Sequence, residues 1–255
     1  MKYKYAIIVN THFHIEQFLS NNNITNNTSF WQEGSDEDGD RTLYFSSVLL
    51  NDLNEVQEIY DKANEILSIY IGIYRLLDRN KILKDYFLLD RLIDIEQNKV
   101  IDLGKRSDLF KISLDFSNIE KRTDVNHPIY RLFEDIIEVE FLKNLFFILS
   151  KNVDYRMLYI IYDDIRFFLK EIGDKNFLEE YKSNLNDFTH TANNFEVLGF
   201  YARHGRTNNQ PPKKPMTLEN SMNLIFDIIV RLLDEKFNIK CPKYWGLMYF
   251  KEENL

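Results

Sequence analysis

A carboxylate-free stretch near the C-terminus carries the residues best suited to chemistry in this sequence. No acidic residue lies between Glu196 and Glu219, although the chain has 40 Asp+Glu against 32 Lys+Arg. We call residues 197–218 the basic loop, and its cationic and histidine side chains are Arg203, His204, Arg206, Lys213 and Lys214. Arginine binds phosphate oxygens through paired hydrogen bonds, and histidine exchanges a proton near neutral pH. The stretch therefore predicts a site for a phosphate-bearing ligand.

The residues that flank the basic loop strengthen this prediction. Thr217 is the expected N-cap of a following helix, whose first turn would offer unpaired N–H groups to an anion. His190 and Asn193 end the preceding predicted helix. RNA cleavage needs one proton taken from the 2′-hydroxyl, one given to the 5′-oxygen, and positive charge beside the phosphorane, none of which requires a metal. The alternative is that Arg203 and His204 only cap a helix and pair with acids elsewhere.

The sequence offers one other arrangement with a chemical interpretation, a His-x-His pair directly after a predicted strand. His12 and His14 have the spacing with which alternate strand residues could share a metal. The remaining histidines, His127, His190 and His204, do not lie beside another His or Cys at a metal-binding spacing. We therefore predict no metal site and no cofactor, and two partly exposed histidines at the end of a strand.

The bulk composition limits the classes of function that remain. The net charge of −8 argues against a protein coated with nucleic acid, so any RNA contact must be local. A single cysteine, Cys241, excludes an internal disulfide. The apolar segment "YAIIV" is too short for a signal peptide, and no apolar run approaches the length of a membrane span. We expect a cytoplasmic protein without a membrane partner.

The elements that must position these residues fall into two regions. In residues 1–121, "KYKYAIIVN", "RTLYFSSVLL" and short runs between Asp85 and Phe116 predict strands, with one run that could be helical. Residues 52–78 carry apolar side chains at helical spacing and predict one long helix with Asp52 as N-cap. Residues 20–41 are polar and predict an exposed loop. We expect an α+β protein, mostly α, whose N-terminal region combines a small β-sheet with this helix.

Residues 122–255 predict helices only. Four segments have helical periodicity and typical boundary residues: 127–151, 154–173 with Gly173 closing it, 174–194, and 217–237. Four antiparallel helices with short connections form a common bundle architecture. The sequence thus predicts a second domain, residues 122–255, built as an antiparallel four-helix bundle with the basic loop before its last helix.

The stretch "YARHG" and its position resemble the HEPN superfamily (higher-eukaryote and prokaryote nucleotide-binding domains). HEPN domains are antiparallel helical bundles with an Arg, a polar residue and, within four to six residues, a His just before the final helix. His204 and Gly205 stand where the motif has His-Gly, and the resemblance extends from Asn126 to about Asn238. No arginine lies at residues 195–199, where the motif would have one; Arg203 is adjacent to His204 instead.

The resemblance implies a metal-independent ribonuclease or RNA-binding effector of a bacterial defence or toxin-type system, acting as a homodimer. The catalytic residues would then be His204, Arg203 and His190, with His204 transferring protons. The substrate-binding residues would be Asn193, Arg206, Lys213 and Lys214. The rival interpretation is a non-catalytic helical protein whose bundle docks a partner in such a system, with the same loop either holding an acidic surface or only capping the last helix.

Overall fold

A computed structural model describes residues 2–21, 27–34, 41–78, 87–104, 128–151, 153–205 and 210–241. The chain forms two compact units, one from residues 1–74 and 85–150 and the other from residues 75–84 and 151–255. The predicted domain boundary at residue 121 and the possible strand at 109–116 lie outside the described residues. Residues 128–150, which the sequence predicted as the first helix of the second domain, belong to the first unit together with the sheet.

The first unit contains a five-stranded antiparallel sheet in the order β2-β3-β1-β4-β5. Its strands are β1 (Tyr5–Thr11), β2 (Thr28–Glu33), β3 (Thr42–Ser47), β4 (Phe87–Asp94) and β5 (Lys99–Asp102). Strand β2 corrects the expectation of an exposed loop over residues 20–41. Its alternating "TSFWQE" buries Thr28 and Phe30 on one side, a pattern that the surrounding Asn and acidic residues obscured.

A row of apolar side chains runs across the sheet and forms one side of the core. Phe30 pairs with Phe45, Phe45 with Ile7, and Ile7 with Leu92, so all four project from the same face. Each is at most 2 % exposed. The rings of Phe30 and Phe45 lie 5.2 Å apart, which adds a cross-strand aromatic contact to the area buried. The predicted N-terminal sheet is thus confirmed.

The long helix α2 (Val56–Leu77) lies against this row. The ring of Tyr70 meets Phe30 edge to face at 5.2 Å and stacks on Phe133 at 4.4 Å, so α2 is covered on two sides. Most of the apolar side chains of the predicted helix are buried, from Ile59 to Leu76. The helix begins at Val56, so Asp52 is not its N-cap. Helix α1 (Phe13–Asn21) covers α2 as well, through the contact of Phe18 with Tyr74 at 5.1 Å.

Helices α3 (Pro128–Glu138) and α4 (Glu140–Leu149) replace the single helix predicted for this segment. Val139 has extended backbone angles, φ −110° and ψ 113°, and so breaks the helical hydrogen bonding. Helix α4 approaches α2 closely at Gly72. A Cβ added there would lie 2.2 Å from the carbonyl oxygen of Phe146. Only glycine permits this separation of the two backbones.

The second unit is helical. It contains α5 (Tyr155–Glu171), α6 (Lys182–Ala192), the one-turn α7 (Phe195–Leu198) and α8 (Leu218–Phe237). Asp154 and Thr217 cap α5 and α8 through side-chain oxygens that accept from Met157 and Asn220, as predicted for Thr217. Helices α5, α6 and α8 share a core of fully buried side chains: Ile161, Ile165, Phe188, Ile225, Ile229 and Leu232. The four-helix arrangement stays a prediction.

Helix α6 begins eight residues later than the sequence pattern indicated. The carboxylate of Asp174 accepts hydrogen bonds from the backbone N–H groups of Asn176 and Phe177 and so makes a turn there. Lys236 of α8 lies 2.6 Å from the same carboxylate. The hydrogen bond from Lys236 lowers the pKa of Asp174 most, and the hydrogen bonds from the two backbone N–H groups lower it further, so this pKa lies below its ordinary value. Gly173, with φ +75°, closes α5 just before this turn.

None of the helices in the described ranges is both long and apolar enough to cross a membrane.

Candidate functional site

The N-terminal part of the basic loop is held against α5 and α6 through its own backbone. The backbone N–H of Arg203 donates to the carbonyl oxygen of Ala192 at 2.8 Å, where α6 ends. The guanidinium Nε of Arg156, on α5, donates to the carbonyl oxygen of Ala202 at 3.1 Å. Ala202 itself is buried. Both hydrogen bonds are made by the one peptide group that joins Ala202 to Arg203, so they fix the direction in which the chain leaves this point and leave the side chains of Arg203 and His204 exposed.

The C-terminal part of the loop is attached to the same two helices. The hydroxyl of Tyr155 donates to the carbonyl oxygen of Met216 at 2.8 Å. The backbone N–H of Met216 donates to Oγ1 of Thr191 at 3.0 Å, and that hydroxyl donates to the carbonyl of Asp187. Thr191 is fully buried, so its hydroxyl needs both partners. These contacts set the position of Thr217 and therefore of the first turn of α8.

Arg203 lies at the centre of a small polar cluster. Its Nη2 donates to Oδ2 of Asp163 on α5 at 3.1 Å, and its guanidinium carbon lies 4.1 Å from the ring centroid of Tyr159. Tyr159 and Asp163 are one helical turn apart, so both face the loop. The Arg203 side chain is 38 % exposed, and solvent weakens such an ion pair. The cluster positions the guanidinium and leaves part of it accessible.

His204 receives a hydrogen bond from this arginine. Nη1 of Arg203 lies 3.3 Å from Nε2 of His204. A guanidinium can only donate, so Nε2 must be unprotonated in this contact and the imidazole proton lies on Nδ1. The side chain of His204 is exposed. The arrangement presents a neutral histidine whose Nε2 lone pair could accept a proton once the arginine turns to another acceptor.

His190 occupies a different position from the one expected of a catalytic partner. Its Nε2 lies 2.8 Å from the carbonyl oxygen of Gln210. A carbonyl can only accept, so Nε2 carries the proton and donates it. The bond joins the end of α6 to the basic loop. Among the described residues, His190 makes no hydrogen bond to Arg203 or His204. Its contact with Gln210 therefore positions the loop.

Asn193 lines a small, partly open pocket beside His190. The pocket has a volume of about 160 Å³, and Thr189, His190 and Asn194 line it together with Asn193. Oδ1 of Asn193 is buried and has no hydrogen-bond partner among the residues that the structure describes. An unpaired buried acceptor is uncommon and would bind a ligand N–H group or a water well. Asn194 caps α7 through its side-chain oxygen and is therefore structural.

Two of the other predicted substrate-binding residues lie further along the loop in sequence. Lys213 and Lys214 are exposed on the proline-rich part of the loop. Arg206 lies outside the described residues. The structure thus brings together Arg203 and His204, places His190 and Asn193 around a neighbouring pocket, and leaves the two lysines as solvated charges.

Sequence reasoning missed the residues that hold and flank the cluster. The partner of Asp163 lies 40 positions away, a separation that helical periodicity does not reveal. Phe200 and Tyr201 directly precede the cluster and are 84 % and 67 % exposed. The sequence does show two adjacent aromatic residues beside the basic side chains. Large aromatic side chains are usually buried, so an exposed pair can mark a binding surface.

The backbone at Gly199 sets the course of this aromatic segment and yields a test. Gly199 has φ +57° and ψ −128°, angles that side chains disfavour, and no atom lies within 4 Å of an added Cβ. We expect Gly199→Ala to lower the free energy of unfolding by about 1–2 kcal/mol through backbone strain alone. Gly205→Ala is the matched control, since its φ is ordinary and its Cβ also meets nothing. Denaturant unfolding of both variants measures the difference; equal values would contradict the assigned geometry.

The two histidines near the N-terminus, His12 and His14, belong to different elements of the first unit. His12 follows β1 directly and His14 lies in the first turn of α1. Within the described part of the chain, no three His, Cys, Asp or Glu side chains lie where they could share a metal ion.

Comparison with known proteins finds no family model, curated protein or solved structure that matches this chain. The HEPN resemblance therefore remains a prediction carried by the residues of the basic loop.

Proposed function

We propose that this chain is a metal-independent ribonuclease or RNA-binding effector of a bacterial defence or toxin-type system, with the basic loop as its RNA site. The observation that supports the proposal is the exposed Arg203–His204 pair, in which Nε2 of His204 accepts from the guanidinium. The pair supplies a proton acceptor and a phosphate-binding cation within one hydrogen bond of each other. These are the two groups that cleavage through a 2′-hydroxyl requires.

The route that follows uses this chain's own residues. A phosphate entering the site competes with Asp163 for the guanidinium of Arg203, since both are anions that accept paired hydrogen bonds. As Arg203 turns to the phosphate, Nε2 of His204 is released from its donor. It can then take the proton from the 2′-hydroxyl. In the proposed HEPN-like homodimer, a group of the second copy would protonate the departing 5′-oxygen.

The experiment that tests this function is incubation of the full chain with total RNA in excess EDTA. The expected result is RNA cleavage that chelation does not stop, with 2′,3′-cyclic phosphate ends on the products. Cleavage that stops on chelation would contradict the metal-independent route. If no cleavage occurs, a filter-binding measurement with the same RNA separates an RNA-binding effector from a protein without affinity for RNA.

A second candidate function is favoured by the outer face of α5. Ile160 and Phe167 are seven residues apart, so they share that face, and they are 51 % and 63 % exposed. Asp164 lies between them in sequence. Burial raises the pKa of its carboxyl most, and the negative charge of the neighbouring Asp163 raises it further. An exposed apolar face of this kind supports the alternative of a non-catalytic helical protein that docks a partner. Loss of partner capture in Phe167→Ser, with RNA cleavage absent in the wild type, would favour this alternative.

A further inference from the structure

We infer that Phe200 and Tyr201 form a stacking platform for unpaired bases, so that the ligand of the basic loop is single-stranded RNA. The inference rests on the proposed function and narrows its substrate class. Phe200 is 84 % exposed and Tyr201 67 % exposed, next to each other on one short turn. Aromatic rings that face water carry the free-energy cost of hydrating an apolar surface, and a flat apolar partner that covers them removes this cost.

The turn that carries the two rings is well fixed. It begins at Gly199, whose left-handed φ reverses the chain, and is closed by the hydrogen bond from the N–H of Ala202 to the carbonyl of Gly199 at 3.1 Å. The ring of Phe200 meets the ring of Phe195 edge to face, with centroids 5.9 Å apart and planes at 86°. This contact orients Phe200 and still leaves most of its surface open. A platform held in this way loses little conformational freedom when a base covers it.

The charge around the rings selects the occupant. Arg203 and His204 follow Tyr201 after one residue, and no carboxylate occurs in residues 197–218 of a chain with net charge −8. A partner that covers the rings and also carries negative charge can bind Arg203 in place of Asp163. Single-stranded nucleic acid combines exposed flat bases with a phosphate for each base, and proteins bind it through aromatic stacking beside basic side chains. Double-stranded RNA hides its base faces and would leave the two rings uncovered.

The test compares the binding of two phosphate-matched 12-mers by fluorescence anisotropy. One is 2′-O-methyl oligouridine, which cannot be cleaved through a 2′-hydroxyl, and the other is an abasic oligomer of the same length. The wild type is expected to bind the oligouridine more tightly by about 10-fold for each stacked ring. The double variant Phe200→Leu/Tyr201→Leu keeps apolar bulk and removes the aromatic faces. It is expected to bind both oligomers with the weak affinity of the abasic one.

A control variant and the contrary outcomes distinguish a failure of the stacking platform from a failure of the proposed function. Phe167→Leu, which changes an exposed aromatic of α5, should keep the wild-type preference. If the wild type binds both oligomers equally, or the double variant keeps the preference, the platform is wrong while action on RNA stands. If the wild type binds neither oligomer, the platform is overturned, and the absence of both cleavage and filter binding of total RNA would overturn the proposed function separately. Self-association that disappears in the double variant, without RNA binding, would assign the rings to a protein contact and also overturn the inference.

Discussion

His204→Ala is expected to lower the rate of RNA cleavage in EDTA by about 10²- to 10⁴-fold, the range for loss of a general acid–base group. The reason is specific to this site, since Nε2 of His204 is the lone pair presented beside the guanidinium of Arg203. Arg203 keeps its contacts with Asp163 and Tyr159 in the variant, so RNA affinity should change little. Single-turnover cleavage and filter binding on the same preparations measure the two quantities.

The matched control is His14→Ala, which removes another exposed histidine from a helix of the first unit. It should cleave at the wild-type rate. His190→Ala is expected to have an intermediate effect, because it releases the carbonyl of Gln210 and so loosens the loop without removing the proton acceptor. Wild-type cleavage by His204→Ala, with circular dichroism showing a folded protein, would remove His204 from the catalytic role.

Gly72→Ala should destabilise the protein by about 3 kcal/mol or more, the upper range for inserting a methyl group into a close contact. The new Cβ would lie 2.2 Å from the carbonyl oxygen of Phe146 and 3.0 Å from its carbonyl carbon. Both are backbone atoms, so no side-chain rotation relieves the clash, and α2 and α4 must separate. The melting temperature should fall by about 10 °C for a loss of this size.

The sign of this effect makes the prediction informative. Alanine favours a helix over glycine by about 1 kcal/mol at an exposed position, so propensity alone predicts stabilisation. Gly205→Ala serves as the control, because nothing lies near its added Cβ. Thermal unfolding followed by circular dichroism compares the two. A melting temperature of Gly72→Ala at or above the wild-type value would show that α2 and α4 do not approach each other at this residue.

Local patterns predicted the elements that depend on local physics. Period-two and helical apolar spacing located β1, β3, α2, α5 and α8, and Thr217 was identified as a cap from its side chain alone. Boundaries were less predictable where a distant or turn-forming group decides them. The side chain of Asp174 delays α6 by forming a turn, and Val139 divides the helix expected over residues 127–151.

The candidate site was predictable only in part, for a physical reason. The charge pattern of the loop pointed to Arg203 and His204, and the structure places them in contact. The partners Asp163 and Tyr159 depend on how α5 packs beside the loop, which is set by apolar contacts far from either residue. His190 was grouped with the catalytic residues because of its chemistry, whereas its proton is used in a bond to Gln210.

The way in which the basic loop is attached affects how freely its sequence can change. In its described residues, five hydrogen bonds attach the loop through its backbone: they use the carbonyls of Ala202, Gln210 and Met216 and the N–H groups of Arg203 and Met216. Every residue except proline supplies both groups, and their partners on α5 and α6 are four side chains and the backbone carbonyl of Ala192. Substitutions along the loop can therefore alter what it recognises while its path is kept. Such a loop can diversify under selection, or in a library, faster than the helices that hold it.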